Sequence, residues 1–102
     1  MNAKKEKLNT VRLQNISYGH RQSAVLRAAI ELGLFTAVSE GASTFSRIAG
    51  ALGISELNAE RLVVACASTG LMQKSGDGYA NASDVERFLV KGKQSYIGPW
   101  LL

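Results

Sequence analysis

Residues 43–82 read "STFSRIAGALGISELNAERLVVACASTGLMQKSGDGYANA", and this stretch decides the fold. Ser43 or Thr44 can accept a hydrogen bond from an orphan amide at a helix start. Ile48, Ala49 and Leu52 then recur at helical spacing, and Gly53 ends the segment with Ile54 as the apolar contact that accompanies a glycine cap. After a short turn, Ser55 or Asn58 caps a second helix. Its residues 62–67, Leu-Val-Val-Ala-Cys-Ala, are apolar nearly all round, so deep packing is expected up to Gly70. Two helices joined by a short glycine turn form a helix-turn-helix unit. Asp77-Gly78 comes next between short strand-like pieces and predicts a hairpin, with Leu71, Met72 and Tyr79 packing back and Lys74 and Asp77 facing water. Helix-turn-helix plus hairpin makes a mainly α, winged-helix domain.

The flanks extend this reading. Over residues 16–32, Tyr18, Gln22, Val25, Ala29 and Leu32 fall on one helical face, broadened by Leu26 and Ile30. Gly33 breaks that helix, and Leu34, Phe35, Ala37 and Val38 predict a short one before Gly41. Ser83 and Glu86 have the spacing of a capping box ahead of "RFLV". Residues 90–95, "VKGKQS", read as a linker. The end of the sequence, "SYIGPWLL", carries Tyr96, Trp100 and Leu101 where polar residues are commoner.

Bulk properties set limits. At 102 residues there is room for one domain. Hydrophobic residues make up 46% and charged residues 20%, a globular balance. The net charge is +4, but Lys4, Lys5, Lys7 and Arg12 against Glu6 put +3 of it in the first twelve residues. The body is near neutral, so neither nucleic acid nor membrane is an expected partner. One cysteine and one histidine make neither a disulfide framework nor a zinc site, and no metal is expected. There is no secretory h-region and no 18-residue apolar run, which points to a cytoplasmic protein.

The sequence resembles the N-terminal domain of S-adenosylmethionine-dependent O-methyltransferases, the bacterial small-molecule enzymes and their plant phenolic relatives. The similarity runs from about Ser17 to Leu102. It rests on "AAIELGLF", on the Thr44…Ile48-Ala49…Leu52-Gly53-Ile54 turn, on "CASTGL", on "GDGY" and on "FLV-x-G", in that order. The resemblance implies a winged helix used for dimerisation, followed by a larger domain that binds the methyl donor and supplies a histidine base. The expected division is a basic tail at 1–14, the winged-helix dimerisation domain at 15–90, and at 91–102 a linker and the start of a helix leading to a catalytic domain absent from this sequence. No catalytic residue and no cofactor site are expected in this chain. S-adenosylmethionine is implied for the full-length enzyme, with a homodimer and a small phenolic or polyketide-like acceptor.

The resemblance also implies side chains for that enzyme. Tyr18 and His20, beside Gly19, are candidates to line the acceptor pocket; the plainer reading of each is an interface or surface residue. Val25, Leu26, Ala29, Tyr96, Trp100 and Leu101 are candidates for the dimer interface. Cys66 reads as a small buried hydrophobe, Arg61 as a solvated or paired arginine, and Asp84 and Glu86 as acids favoured at a helix start. A winged-helix transcription regulator would share the fold. Its recognition helix would here be "SELNAERL", which sets Glu56 and Glu60 against Arg61 and opposes phosphate binding.

Overall fold

A computed structural model describes residues 8–102, apart from the Tyr18 side chain; the lysines of the basic tail lie outside the described residues. The elements are α1 (Val11–Leu32), α2 (Leu34–Ser39), α3 (Phe45–Leu52), α4 (Glu56–Ser68), β1 (Met72–Ser75), β2 (Gly78–Asn81), α5 (Ser83–Phe88) and a final 3-10 turn (Gly98–Leu101). The expected mainly helical fold with a β-hairpin wing is the one formed. Leu34, Phe35, Ile48, Val63 and Cys66 are the large side chains fully buried at its centre.

The caps choose between the alternatives the sequence left open. Thr44 Oγ1 accepts from the Arg47 amide at 3.3 Å to start α3, and Ser55 Oγ accepts from the Asn58 amide at 3.1 Å to start α4. Gly33 takes a left-handed φ of +80°, and its amide closes α1 on the carbonyls of Ala29 and Ile30. That one residue lets α2 begin immediately, at a new angle.

Several expectations are corrected. α1 begins at Val11 rather than near residue 16, so the division placed between residues 14 and 15 falls inside the helix. α4 is not packed all round. Ala59, Val63 and Cys66 are buried, but Leu57 is 55% and Val64 47% exposed, because α3 and the second half of α1 cover a single side. The capping box does not form. The chain enters α5 from Ala82, and the Glu86 carboxylate turns to Ser39 and Asn81 instead of the helix start. The end of the chain makes a short 3-10 turn where an α-helix start was expected.

The wing is also shifted by one residue. Its register pairs Met72 with Asn81 and Ser75 with Gly78, so the two-residue turn is Gly76-Asp77, with Gly76 at φ +57°. Gly78 belongs to β2 and is needed for a different reason. A Cβ there would run into the Ser43 backbone, since the Tyr79 amide donates to the Ser43 carbonyl at 2.9 Å. Phe45 stacks on Tyr79 at 5.6 Å between ring centroids, which fastens the wing to the start of α3.

This close approach predicts a contrast between two glycines. Gly78→Ala should lower unfolding stability by ~1–3 kcal/mol through overpacking. Gly50→Ala, in α3 with open space around it, should raise stability by ~0.5–1 kcal/mol through helix propensity. Urea denaturation of the two variants checks the pair.

Candidate functional site

The second half of α1 and the length of α4 form the walls of a groove. Ala24, Val25, Ala28 and Leu32 face Ile54, Asn58, Leu62 and Ala65 across a space of about 450 Å³. It continues past Val25 and Ala65 toward Arg21, Gln22, Ser68 and Thr69. On its outer side lie Leu57, Arg61 and Val64 of α4. The groove exists because Ala24, Ala28 and Ala65 are small and leave the helices apart where larger side chains would fill the gap. Its lining is mostly apolar, and exposed surface of this kind marks a place where something docks.

The first half of α1 supplies a matching feature. Residues 11–17 and 19–24 are exposed, so the helix projects beyond the body. Leu13 is 59% and Ile16 61% exposed. Leu13, Ile16, His20 and Ala24 follow the i, i+3, i+7, i+11 spacing of one helix face. An apolar stripe therefore runs from the free half of α1 into the wall of the groove, with His20 on it. Sequence reasoning missed Leu13, Ile16, Leu57 and Val64. The signal for the first two was present as an apolar i, i+3 pair that the division between residues 14 and 15 split between tail and domain.

The expected interface residues separate. Val25 lines the groove. Leu26 and Leu101 instead meet in a smaller cleft of about 220 Å³ with Leu71, Val85 and Phe88. Ala29 is fully buried in the chain's own core, because the second half of α1 uses that face to cover α2 and α4. Tyr96 is half-buried and lies over Gly98. Trp100 is 87% exposed. His20 is exposed, and the side chain of Tyr18 lies outside the described residues.

Among the described residues, two titratable groups are displaced from their ordinary values. Burial pushes the Cys66 thiol up to about 12, so it stays protonated and is no nucleophile at neutral pH. Glu86 is held down to about 2. Ser39 Oγ donates to its Oε2 at 2.6 Å, Asn81 Nδ2 donates to its Oε1 at 2.9 Å, and Lys93 Nζ donates to Oε2 at 3.0 Å. Asn81 Nδ2 also donates to the Phe35 carbonyl at 2.9 Å, which fixes the amide orientation.

Among the described residues no cluster of histidine, cysteine or carboxylate could hold a metal, and no helix is long and apolar enough to cross a membrane. The sequence's one G-x-G, Gly76-Asp77-Gly78, sits at the tip of the β-hairpin with Gly78 against Ser43, outside the strand-turn-helix context of a nucleotide-binding loop. The face of α4 that a DNA-reading winged helix would present carries Leu57, Glu60 and Val64 beside Arg61.

The Glu86 contacts predict a pH dependence. A carboxylate whose pKa falls on folding, from 4.5 to about 2, contributes stability that is complete above 4.5 and is lost as pH falls toward 2. Urea midpoints of the native protein should drop between pH 5 and pH 2.5, and Glu86→Gln should flatten that part of the profile. Parallel profiles for the two proteins would contradict it.

Comparison with known proteins agrees with the geometry. Residues 14–91 match the family model described as the O-methyltransferase dimerisation domain. The 3-hydroxy-5-methyl-1-naphthoate 3-O-methyltransferase of Streptomyces sahachiroi is 34% identical over 89 residues, which is 87% of this chain and 26% of that protein. The N,N-dimethyltransferase OxyT of Streptomyces rimosus is 30% identical over 90 residues, 88% of this chain and 26% of that protein. The human N-acetylserotonin methyltransferase, solved in complex with SAM, superposes with a TM-score of 0.78 at 25% identity, over 97% of this chain and 31% of that one. The chain thus spans about a quarter of the length of these curated relatives. A winged helix whose open surface is an apolar groove and stripe, matched by that family model over most of its length, belongs to the O-methyltransferase dimerisation domain family.

Proposed function

We propose that this domain joins two copies of a small-molecule O-methyltransferase and lends a few side chains to close the pocket for a phenolic or polyketide-like acceptor. The observation that carries the reading is the stripe of Leu13 and Ile16 on a projecting helix, continuous with an open apolar groove on the same chain. One chain cannot cover both. A straight 22-residue helix of about 33 Å cannot fold its first half back onto its second. A second copy, related by a twofold axis, covers both at once with one self-complementary surface. The partner is therefore a second copy of the same chain, and the setting is the cytoplasm, which suits a free thiol.

The chemistry itself belongs to the rest of such an enzyme. S-adenosylmethionine is the methyl donor that the family reading implies, but the described residues do not fit a donor site, and no step is assigned to them. Their role would be to hold two subunits in register, to position the acceptor and to keep water from it. His20, and Tyr18 two residues before it, are the side chains proposed to reach an acceptor. An imidazole or a phenol gives a planar ligand apolar contact plus one hydrogen bond.

Both halves of this role can be measured. Ile16→Asp removes an apolar anchor of ~1.5–3 kcal/mol and should weaken self-association at least about tenfold in sedimentation equilibrium. A clean monomer for the native chain at tens of micromolar would refute the dimer. In the intact enzyme, His20→Ala should raise the acceptor KM by about fivefold, the loss of one hydrogen bond of ~1 kcal/mol, with the dimer preserved. Unchanged acceptor kinetics would leave His20 no pocket role.

A further inference from the structure

The chain leaves α5 through residues 91–97, a path that packing alone does not hold. Lys91, Gly92, Lys93 and Gln94 are all exposed, so they contribute little apolar burial. The path is nonetheless tied to the body at four points, each a polar contact. The Lys91 amide donates to Thr36 Oγ1 of α2 at 3.0 Å. Lys93 Nζ donates to the backbone carbonyl of Glu86 and to its carboxylate, both at 3.0 Å. Ser95 Oγ donates to the Arg87 carbonyl at 2.6 Å, and the Ile97 amide donates to the Phe88 carbonyl at 2.8 Å.

Glu86 is where these ties meet the rest of the fold. Its carboxylate accepts from Ser39 at the end of α2, from Asn81 at the end of β2 and from Lys93 on the exit path. Asn81 carries the link inward to the Phe35 carbonyl, at the centre of the core. A surface ion pair such as Lys93–Glu86 contributes little by itself. A carboxylate shared among three elements differs, because each bond orients the others and the geometry is fixed in more than one direction.

We propose that Glu86 is the positioning residue of the exit path: through Ser39, Asn81 and Lys93 it sets the direction in which the chain leaves the winged helix and so where Tyr96, Trp100 and Leu101 are presented. The knot is a property of this chain. Its consequence, a fixed attitude between this domain and a catalytic domain, rests on the function proposed above. Ser39 and Lys93 share Oε2 and Asn81 holds Oε1, so replacing the carboxylate with an amide turns an N–H donor toward one of these two sets and removes the charge that holds Lys93, and the exit path loses this anchor while the apolar core keeps all its side chains.

The test is residue-resolved amide exchange on the chain itself, which does not depend on what the protein does. Glu86→Gln and Lys93→Met are compared with the native protein, and Trp100, the one tryptophan, reports the mobility of the 3-10 turn through its fluorescence anisotropy. In both variants exchange at the Lys91 and Ile97 amides should rise at least about tenfold more than in α3 and α4, Trp100 anisotropy should fall, and in Lys93→Met protection in α3 and α4 should stay as it was. Unchanged exchange at Lys91 and Ile97 would overturn the proposal. So would an equal rise across α3 and α4 in both variants, which would make Glu86 a general stabiliser and no positioning residue. If Glu86→Gln alone loosens the whole fold, Lys93→Met decides, since it leaves Ser39 and Asn81 on the carboxylate.

Discussion

The burial of Leu34 and Phe35 organises the rest of the molecule. Both sit on α2, a helix of six residues, too short to be stable alone in water. It persists because α1, α3, β2 and α5 all pack on it. Each of those elements also needs it: it closes the end of α1, supports the ridge of α3, and gives Asn81 a carbonyl at Phe35. The left-handed turn at Gly33 makes this possible, since it swings α2 under α1 without an intervening loop. Unfolding α2 would expose the largest fully buried side chain and undo contacts on every side, so cooperativity of the whole domain passes through it.

A core centred so low on α1 leaves the first half of that helix without cover. The body packs its apolar faces around α2, and residues 11–17 stay exposed. The uncovered half of α1, the groove beside α4 and the exposed Leu57 and Val64 are then one consequence of one packing arrangement. In a DNA-reading winged helix the outward face of the equivalent helix meets phosphates and would need cations. Here it offers Leu57, Glu60 and Val64 with Arg61, a surface suited to protein. The fold is shared by both uses, and the side chains on one helix face separate them.

Two kinds of attachment coexist in the structure. The helices and wing are held by apolar burial, which is non-directional and tolerates small shifts. The exit path is held by hydrogen bonds to Thr36, Glu86, Arg87 and Phe88, which are directional and short in reach. An apolar anchor in the same place would fix distance more than angle. The acid-sensitive carboxylate thus sits where the chain turns away from the winged helix, and there the angle decides how Tyr96 and Trp100 are presented.

Much of the fold was written locally. The spacing of Ile48, Ala49 and Leu52, a cap at Ser43 or Thr44 and another at Ser55 or Asn58, the glycine at 53 and the Gly-Asp turn residues at 76–77 are short-range signals, and they suffice for a winged helix because each depends on neighbours within a few residues. The side of each helix that stays open was not legible. Val63 and Val64 are adjacent and chemically identical, yet one is buried and the other is not, because the choice is made by where α1 and α3 cross α4. The same holds at Glu86, whose spacing from Ser83 suggested a cap. Ser39 lies 47 residues away in sequence, and only the packing of α5 on α2 brings it to 2.6 Å, where it outcompetes the helix start. The sequence by itself determined the elements and the family; the tertiary structure decided which apolar residues remain for a partner and which carboxylate ties the exit, because both depend on contacts between residues far apart along the chain.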